Sequence, residues 1–319
     1  MRRFAISLGS YLSLNVFFRY HSIILFEAFN LLPMYSLGSN DLRATVTSSD
    51  LLLAIALAIF WGSTYPVIRI AGNPLVILLG RYVLASLVSL IGVLKTRSHM
   101  IKASRSNIFL GLLAGFFNTG FVVAMYYALE YIPSGPVSAI VYTYPLLMLV
   151  ISSLIGFQRI EGRIVIGSMI AFGGVLLIYA PSNLNTLGVI LSLTASILFA
   201  ISSIISSRTS LDIALLTFIQ NLSGLPIATV VYMIVDHETR IDLLTAAAII
   251  HQGVGAGYIA YLAWYALIKR SIGIASSIVY MVPAAAYLIA IPVAGEIPEP
   301  HQVLGLLLIL TSIYMARKI

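Results

Sequence analysis

The chain contains no cysteine. Disulfides, thiolate nucleophiles and thiolate-bound metals are therefore excluded, and redox compartment cannot be read from it. Charge is almost as scarce. Asp, Glu, Lys and Arg together make up 9% of the 319 residues, with 11 acids against 18 Lys and Arg. A soluble domain carries about 25% charged residues. A chain this poor in charge cannot cover a soluble surface, which excludes soluble enzymes, nucleic-acid-binding proteins and disordered chains. What is there is apolar: 60% hydrophobic residues and a mean hydropathy of +1.02. The composition is that of a polytopic membrane protein, and its partner is a lipid bilayer. The net charge of +7 is then a matter of topology rather than of a nucleic-acid partner.

A spanning helix needs about 20 mostly apolar residues. Such blocks lie at 51–71, 75–94, 107–130, 135–156, 164–180, 187–206, 213–235, 244–268, 274–294 and 302–316. The pattern predicts ten spans joined by short loops, with no room for a soluble catalytic domain. Pro66, Pro145, Pro226 and Pro283 fall inside blocks, where prolines kink spanning helices rather than end them. Residues 1–49 stand apart as an N-terminal extension, interrupted by Arg19, His21, Glu27 and Pro33 and without a convincing cleavage site. Met34 is an alternative start within it.

Basic residues set the orientation. With the N-terminus inside, Lys95, Arg97, Lys102, Arg105, Arg159, Arg163, Arg208, Lys269, Arg270, Arg317 and Lys318 are cytoplasmic, and only Arg69 and Arg240 fall outside. Both termini are expected in the cytoplasm, with the chain in the cytoplasmic membrane.

Shifting the sequence by 138 residues lays 126–178 over 264–316 without a gap. Tyr127-Ala128-Leu129 falls on Tyr265-Ala266-Leu267, and Gly135, Ser138, Ile140-Val141-Tyr142 and Pro145 fall on Gly273, Ser276, Ile278-Val279-Tyr280 and Pro283. The same shift puts Trp61 over Phe199. The halves are 50–181 and 182–319, five spans each. Because five is odd, the second must be upside down, and the loop charges reverse sign accordingly. Glu130 is answered by Lys269 and Arg270, the basic 95–105 loop by Asp236, Glu238 and Asp242, and Gln158-Arg159 with Arg163 by Glu296 with His301. Inverted repeats are an architecture of secondary transporters, with the substrate near the midplane between the halves.

Several local patterns then combine. They are Trp61-Gly62-Ser63-Thr64, Arg81-Tyr82, Tyr126-Tyr127-Ala128-Leu129, Pro136-Val137-Ser138-Ala139 through Pro145, and Gly167 followed by Gly173-Gly174-Val175. In their order and duplication they resemble the EamA-type branch of the drug/metabolite transporter superfamily, over about 50–318. The resemblance implies an all-α integral membrane protein of ten transmembrane helices, arranged as two inverted five-helix repeats around a central cavity, exporting amino acids or other small metabolites. The chain departs from the family at Gln158, where an acid is common. The first span also has no carboxylate between Asp50 and Arg69, which argues against the proton-coupled export of cations seen in the small multidrug-resistance relatives.

The candidate substrate-binding residues are Trp61, Tyr65, Arg81, Asn118, Tyr142 and Tyr280. Arg81 lies about seven residues into its span, roughly 10 Å deep, where an arginine in hydrocarbon costs at least ~2.5 kcal/mol and so faces protein or water. It either attracts an anionic substrate group or is held by helix carbonyls or Glu130. Asn118, a mid-span amide, needs partners; it bonds substrate or joins two helices. Tyr142 and Tyr280, repeat mates three residues before a proline, are read as an aromatic wall. Tyr126, Tyr127, Trp264 and Tyr265 lie near span ends and are read as interfacial belt or packing. His251 is the one mid-membrane side chain suited to titrate near neutrality, a candidate for proton coupling or a histidine bonded between helices. No pair of mid-membrane carboxylates supports a sodium site, and no metal or cofactor is expected. Gly253-Val254-Gly255-Ala256-Gly257 has the small-residue spacing of close helix approach and lacks what a phosphate loop requires.

The expected function is transport of a small polar metabolite, amino acids first, by alternating access, with drug or dye efflux or sugar and phosphorylated-metabolite transport as alternatives. A membrane enzyme is disfavoured because His21, His99, His237, His251 and His301 are scattered. A receptor or scaffold would bind ligand without flux. A monomer suffices, and a dimer stays open.

Overall fold

The computed structural model describes residues 46–95, 103–157, 161–178, 184–235, 241–294 and 299–317. The expectations placed on residues 1–45, Arg97, His99, Lys102, Gln158, Arg159, Asp236, His237, Glu238, Arg240, Glu296 and Lys318 lie outside these. Among the described residues all regular structure is helical. The helices are α1 (Ser48–Gly62), α2 (Thr64–Ala71), α3 (Pro74–Lys95), α4 (Arg105–Tyr131), α5 (Ser134–Val141), α6 (Tyr144–Leu154) and α7 (Gly162–Ile178). The second half follows with α8 (Thr186–Arg208), α9 (Ile213–Ile234), α10 (Leu243–Ile250), a π-helix (His251–Ile259), α11 (Ala260–Arg270), α12 (Ile272–Ile278), α13 (Met281–Ala294) and α14 (Pro300–Arg317).

Taken as continuous rods, seven of these are long and apolar enough to cross a bilayer: 48–71, 74–95, 105–131, 134–154, 186–208, 213–234 and 243–270. Three shorter apolar helices, Gly162–Ile178, Ile272–Leu288 and Pro300–Ser312, occupy the other three expected places. Rod ends fall within about three residues of the hydropathy blocks, because span length is set by bilayer thickness.

Proline behaves in two ways. Pro66, Pro145 and Pro283 each sit in the first turn of the second segment of a broken rod. A missing N–H costs nothing in a first turn, so these prolines mark breaks at Ser63, at Tyr142-Thr143 and at Val279-Tyr280 rather than kinks. Pro226 lies inside α9, which continues through it.

The apolar surface divides by depth of packing. In α3 one face, with Leu78, Tyr82, Ala85 and Ser89, is buried, while Val83, Leu87, Ile91 and Leu94 are exposed. In lipid an exposed apolar face carries no penalty, so helix contact is driven by close packing and small residues. The tightest crossing joins α7 to α14. A Cβ placed on Gly174 would lie 2.5 Å from the Gly305 carbonyl oxygen, and one on Gly305 equally close to that of Gly174. Further along, Gly167 faces Ser312. Numbers rise on one helix as they fall on the other, so the pair is antiparallel. The 138-residue shift exchanges Gly167 with Gly305 and Gly174 with Ser312, mapping this crossing onto itself.

One end of the bundle gathers the residues assigned to the basic side. Asp50, with its side chain buried, pairs with Arg270, Lys269 Nζ donates to the Thr209 carbonyl at 2.5 Å, and Asn107 exchanges bonds with Ser210 at 2.7 and 3.0 Å. Asp50 also completes the capping box of α1, accepting from the Thr47 N–H at 2.7 Å while Thr47 Oγ1 accepts from the Asp50 N–H at 3.3 Å. Thr47→Ala is expected to lower stability by ~1 kcal/mol, read as a reduced thermal midpoint in detergent.

Candidate functional site

A narrow cavity lies between the halves. The first half contributes Trp61, Thr64 and Tyr65 from the α1–α2 break, Arg81 from α3, Phe121 and Met125 from α4, and Val141, Tyr142 and Tyr144 from the α5–α6 break. The second half contributes Phe199 from α8, Gln252 and Ala256 from the π-helix, and Tyr261 from α11.

Its walls are aromatic. Trp61 meets Tyr261 edge-on at 5.3 Å and Phe199 at 5.6 Å between ring centres. Phe199 packs on Phe121 at 4.5 Å and on Tyr144 at 4.6 Å, and stacks on Trp264 at 5.7 Å. Trp61 and Phe199, superposed by the repeat, are thus in contact across the interface between the halves.

Among the described residues, Arg81 is the one charged residue of the lining. It is 3% exposed, and its guanidinium lies 5.4 Å from the Tyr82 ring centre and 5.8 Å from that of Tyr261, beside the Tyr126 and Tyr261 hydroxyls. Its Nε has no hydrogen-bond partner. Among the described residues no carboxylate pairs with it. Glu130 is exposed at the end of α4, so the expected alternative of an Arg81–Glu130 pair is not found. A buried guanidinium without a counter-ion is expensive, and here it faces an aromatic cavity.

The glycines of the π-helix are packed against its neighbours. A Cβ on Gly253 would lie 2.8 Å from Leu84, and a Cβ on Gly255 would overlap the Phe60 ring, so α1 and α3 approach the backbone itself. Trp61 Nε1 donates to the Ala256 carbonyl at 3.1 Å and Asn221 Nδ2 to that of Gly257 at 3.0 Å. A polar chain runs through the same segment. Ser63 Oγ lies 2.8 Å from His251 Nε2, Gln252 Nε2 lies 3.2 Å from His251 Nδ1, and the Tyr126 hydroxyl donates to Gln252 Oε1 at 3.4 Å.

Of the expected site residues, the structure brings Trp61, Tyr65, Arg81 and Tyr142 to the cavity. The other three do not line it. Asn118 accepts from the Tyr261 hydroxyl at 2.6 Å, holding that ring beside Arg81. Tyr280 is fully buried at the α12–α13 break; the proline rule that pairs it with Tyr142 places both at breaks but only Tyr142 at the cavity. His251 stands behind Gln252. The interfacial-belt reading is corrected for Trp264, Tyr126 and Tyr265, all buried. Trp264 Nε1 donates to Ser203 Oγ at 3.1 Å, and the Tyr265 hydroxyl donates to Gln220. Sequence reasoning assigns no role to Phe199, Tyr144 or Tyr261 and notes Gln252 only as the neighbour of His251; the one available signal is Phe199 as the repeat mate of Trp61. Among the described residues no cluster of His, Asp and Glu is arranged to hold a metal.

The model of the EamA-like transporter family matches residues 48–180 and again 186–317. The chain belongs to the EamA-like transporter family. It is thus a multi-pass membrane transporter of the drug/metabolite type, built from two copies of the family's repeat. No curated protein matches it. Solved structures do: 29 chains match, among them one described as "Crystal structure of protein", 16% identical, with a TM-score of 0.73 over 85% of this chain and 97% of that one. At that identity the likeness is one of fold.

Proposed function

We propose that this EamA-like protein is a secondary transporter that exports small carboxylate-bearing metabolites, amino acids first among them, across the cytoplasmic membrane by alternating access. Its spans would number ten, in two inverted halves of 50–181 and 182–319, with both termini cytoplasmic. The observation that carries the substrate reading is Arg81, buried, without a carboxylate partner among the described residues, and open to a cavity built by both halves. A carboxylate answers the guanidinium with two parallel hydrogen bonds, and an apolar side chain packs on Trp61, Tyr142 and Phe199. Tyr65 closes the wall beside Thr64. Asn118 and Tyr280 act from behind, the first by orienting Tyr261 and the second by packing the break between α12 and α13. The same guanidinium disfavours cationic drugs and leaves phosphorylated metabolites as the second reading.

Counterflow in proteoliposomes tests this. Vesicles loaded with unlabelled L-phenylalanine should accumulate labelled L-phenylalanine from outside, and a panel of amino acids should compete with it. Competition by sugar phosphates alone would replace amino acids with the second reading, and no exchange of either class would overturn transport of small anions.

A further inference from the structure

We propose that the Asp50–Arg270 pair is the latch closing the cytoplasmic side of the cavity, and that it must part before a passenger can load for export; the inference rests on the alternating-access reading above. Asp50 takes no part in the cavity, yet its side chain is wholly buried in the first turn of α1. Arg270 ends α11, and its side chain is 24% exposed. The partners come from opposite halves. Among the described residues the other ion pairs, Arg163 with Glu161 and His301 with Glu299, join residues two apart in the sequence. Within that set, the Asp50–Arg270 pair is what ties one half to the other by charge.

The pair stands well away from the cavity. Asp50 precedes Trp61 by eleven residues of α1, roughly 16 Å, and Arg270 follows Tyr261 by nine residues of α11, about 14 Å. On those stretches Leu53, Leu57, Trp264 and Ile268 are at most 2% exposed, a packed layer between pair and cavity. Toward the other end the cavity lies nearer the surface. Arg81 is seven residues from Pro74 and Tyr65 six from Ala71, about 10 Å. There Asn73 Nδ2 donates to Thr245 Oγ1 across the halves at 3.3 Å, without charge. The structure is closed at the Arg270 end.

The local bonding suits a latch. Asp50 is held to its own helix by the Thr47 N–H and the Thr47 hydroxyl, both at 2.7 Å, and Thr47 Oγ1 also accepts from Arg270 at 3.1 Å. Parting therefore leaves Asp50 in place and moves Arg270 away on the end of α11. Without water, parting would strand a buried carboxylate. With this end open, hydration replaces the pair for both groups. The pair thus favours the closed state alone, and its loss shifts the population toward the open one.

The absence of cysteine makes a single introduced thiol a direct reporter. Leu57→Cys sets it in the packed layer; in a separate protein Ser106→Cys, exposed at the start of α4, marks the face that carries Arg270. The full chain in proteoliposomes, without substrate, is treated with a membrane-impermeant maleimide from each face in turn. The Leu57→Cys reporter alone should be protected. Adding Asp50→Asn, which keeps an oxygen for the Thr47 N–H but removes the charge, should speed its labelling from the Arg270 face at least about tenfold, and not from the other. Arg270→Gln should do the same, and the double variant should add little. With both charges present, raising salt at that face from about 0.1 to 1 M should also speed labelling, because screening favours the parted charges. A reporter labelled rapidly in the otherwise unchanged chain, or variants that leave it protected, overturn the latch. Labelling that rises equally from both faces overturns it too and assigns Asp50 to the fold. Should neither charge variant assemble, a salt series without effect is enough to overturn it. A reporter that responds as expected in a protein that exchanges no amino acid supports the latch and overturns the substrate reading alone.

Discussion

Arg81→Met is expected to weaken binding of L-phenylalanine by at least about 100-fold while raising the thermal midpoint of the empty protein. The two effects have one cause. A guanidinium taken out of water costs several kcal/mol, and replacing a buried charge with an apolar side chain of similar volume is often neutral or stabilising by ~1–4 kcal/mol. Against this stand the contacts with the Tyr82 and Tyr261 rings, each worth ~0.5–2 kcal/mol. The balance favours the variant in the empty protein. Once a carboxylate is bound the sign reverses, because losing one partner of a buried charge pair costs ~2–5 kcal/mol, and 100-fold corresponds to about 2.8 kcal/mol. Equilibrium binding and a thermal melt measured on the same preparation check both arms. Loss of stability together with binding would mean that Arg81 serves the fold. Arg81→Lys keeps the charge but not the planar fork and should bind more weakly than wild type yet better than the methionine variant.

Gly174→Ala and Gly173→Ala should differ sharply although the residues are adjacent. A Cβ on Gly173 meets nothing within 4 Å, and in a helix interior alanine is favoured over glycine by about 1 kcal/mol, so that variant should be neutral or slightly more stable. A Cβ on Gly174 would stand 2.5 Å from the Gly305 backbone oxygen and 3.0 Å from Ile309. Backbone cannot rotate out of the way as a side chain can, so α7 and α14 must separate along the whole crossing. Overpacking of this kind costs ~1–3 kcal/mol, occasionally more, and Gly305→Ala should cost about the same. The double variant should cost less than the sum, because one separation relieves both clashes. Thermal unfolding of the four proteins in one detergent reads all of this.

The fold was legible because bilayer thickness and loop charge are written in composition. A run of twenty apolar residues has few other uses, and the reversal of loop charges predicts an inverted second half. Arg81 was legible for the same reason, as a charge inside an apolar run. The rest of the site was not. Trp264 and Tyr265 fall near the end of their apolar run, where aromatic residues also mark the membrane interface; only the inward packing of α11 separates the two readings. Asn118 showed itself as a buried amide, but its partner, Tyr261, lies 143 residues away. The π-helix has no signature in hydropathy, and the contacts of Phe60 and Leu84 with Gly255 and Gly253 are made only in the folded chain. The prolines misled mildly: at Pro66, Pro145 and Pro283 the sequence shows a proline in a span but not that a new helix starts one or two residues before it.

The frame is nearly symmetric and its lining is not. The repeat carries Arg81 onto Ile219, Asn118 onto Ala256 and Tyr261 onto Val123, so the guanidinium has no counterpart in the second half. A passenger would keep its carboxylate on the same residue for the whole journey and be handed over rather than turned around. The two doors of the cavity are then not mirror equivalents. Each is flanked by different side chains, and the ease of entering by one carries no information about the ease of leaving by the other.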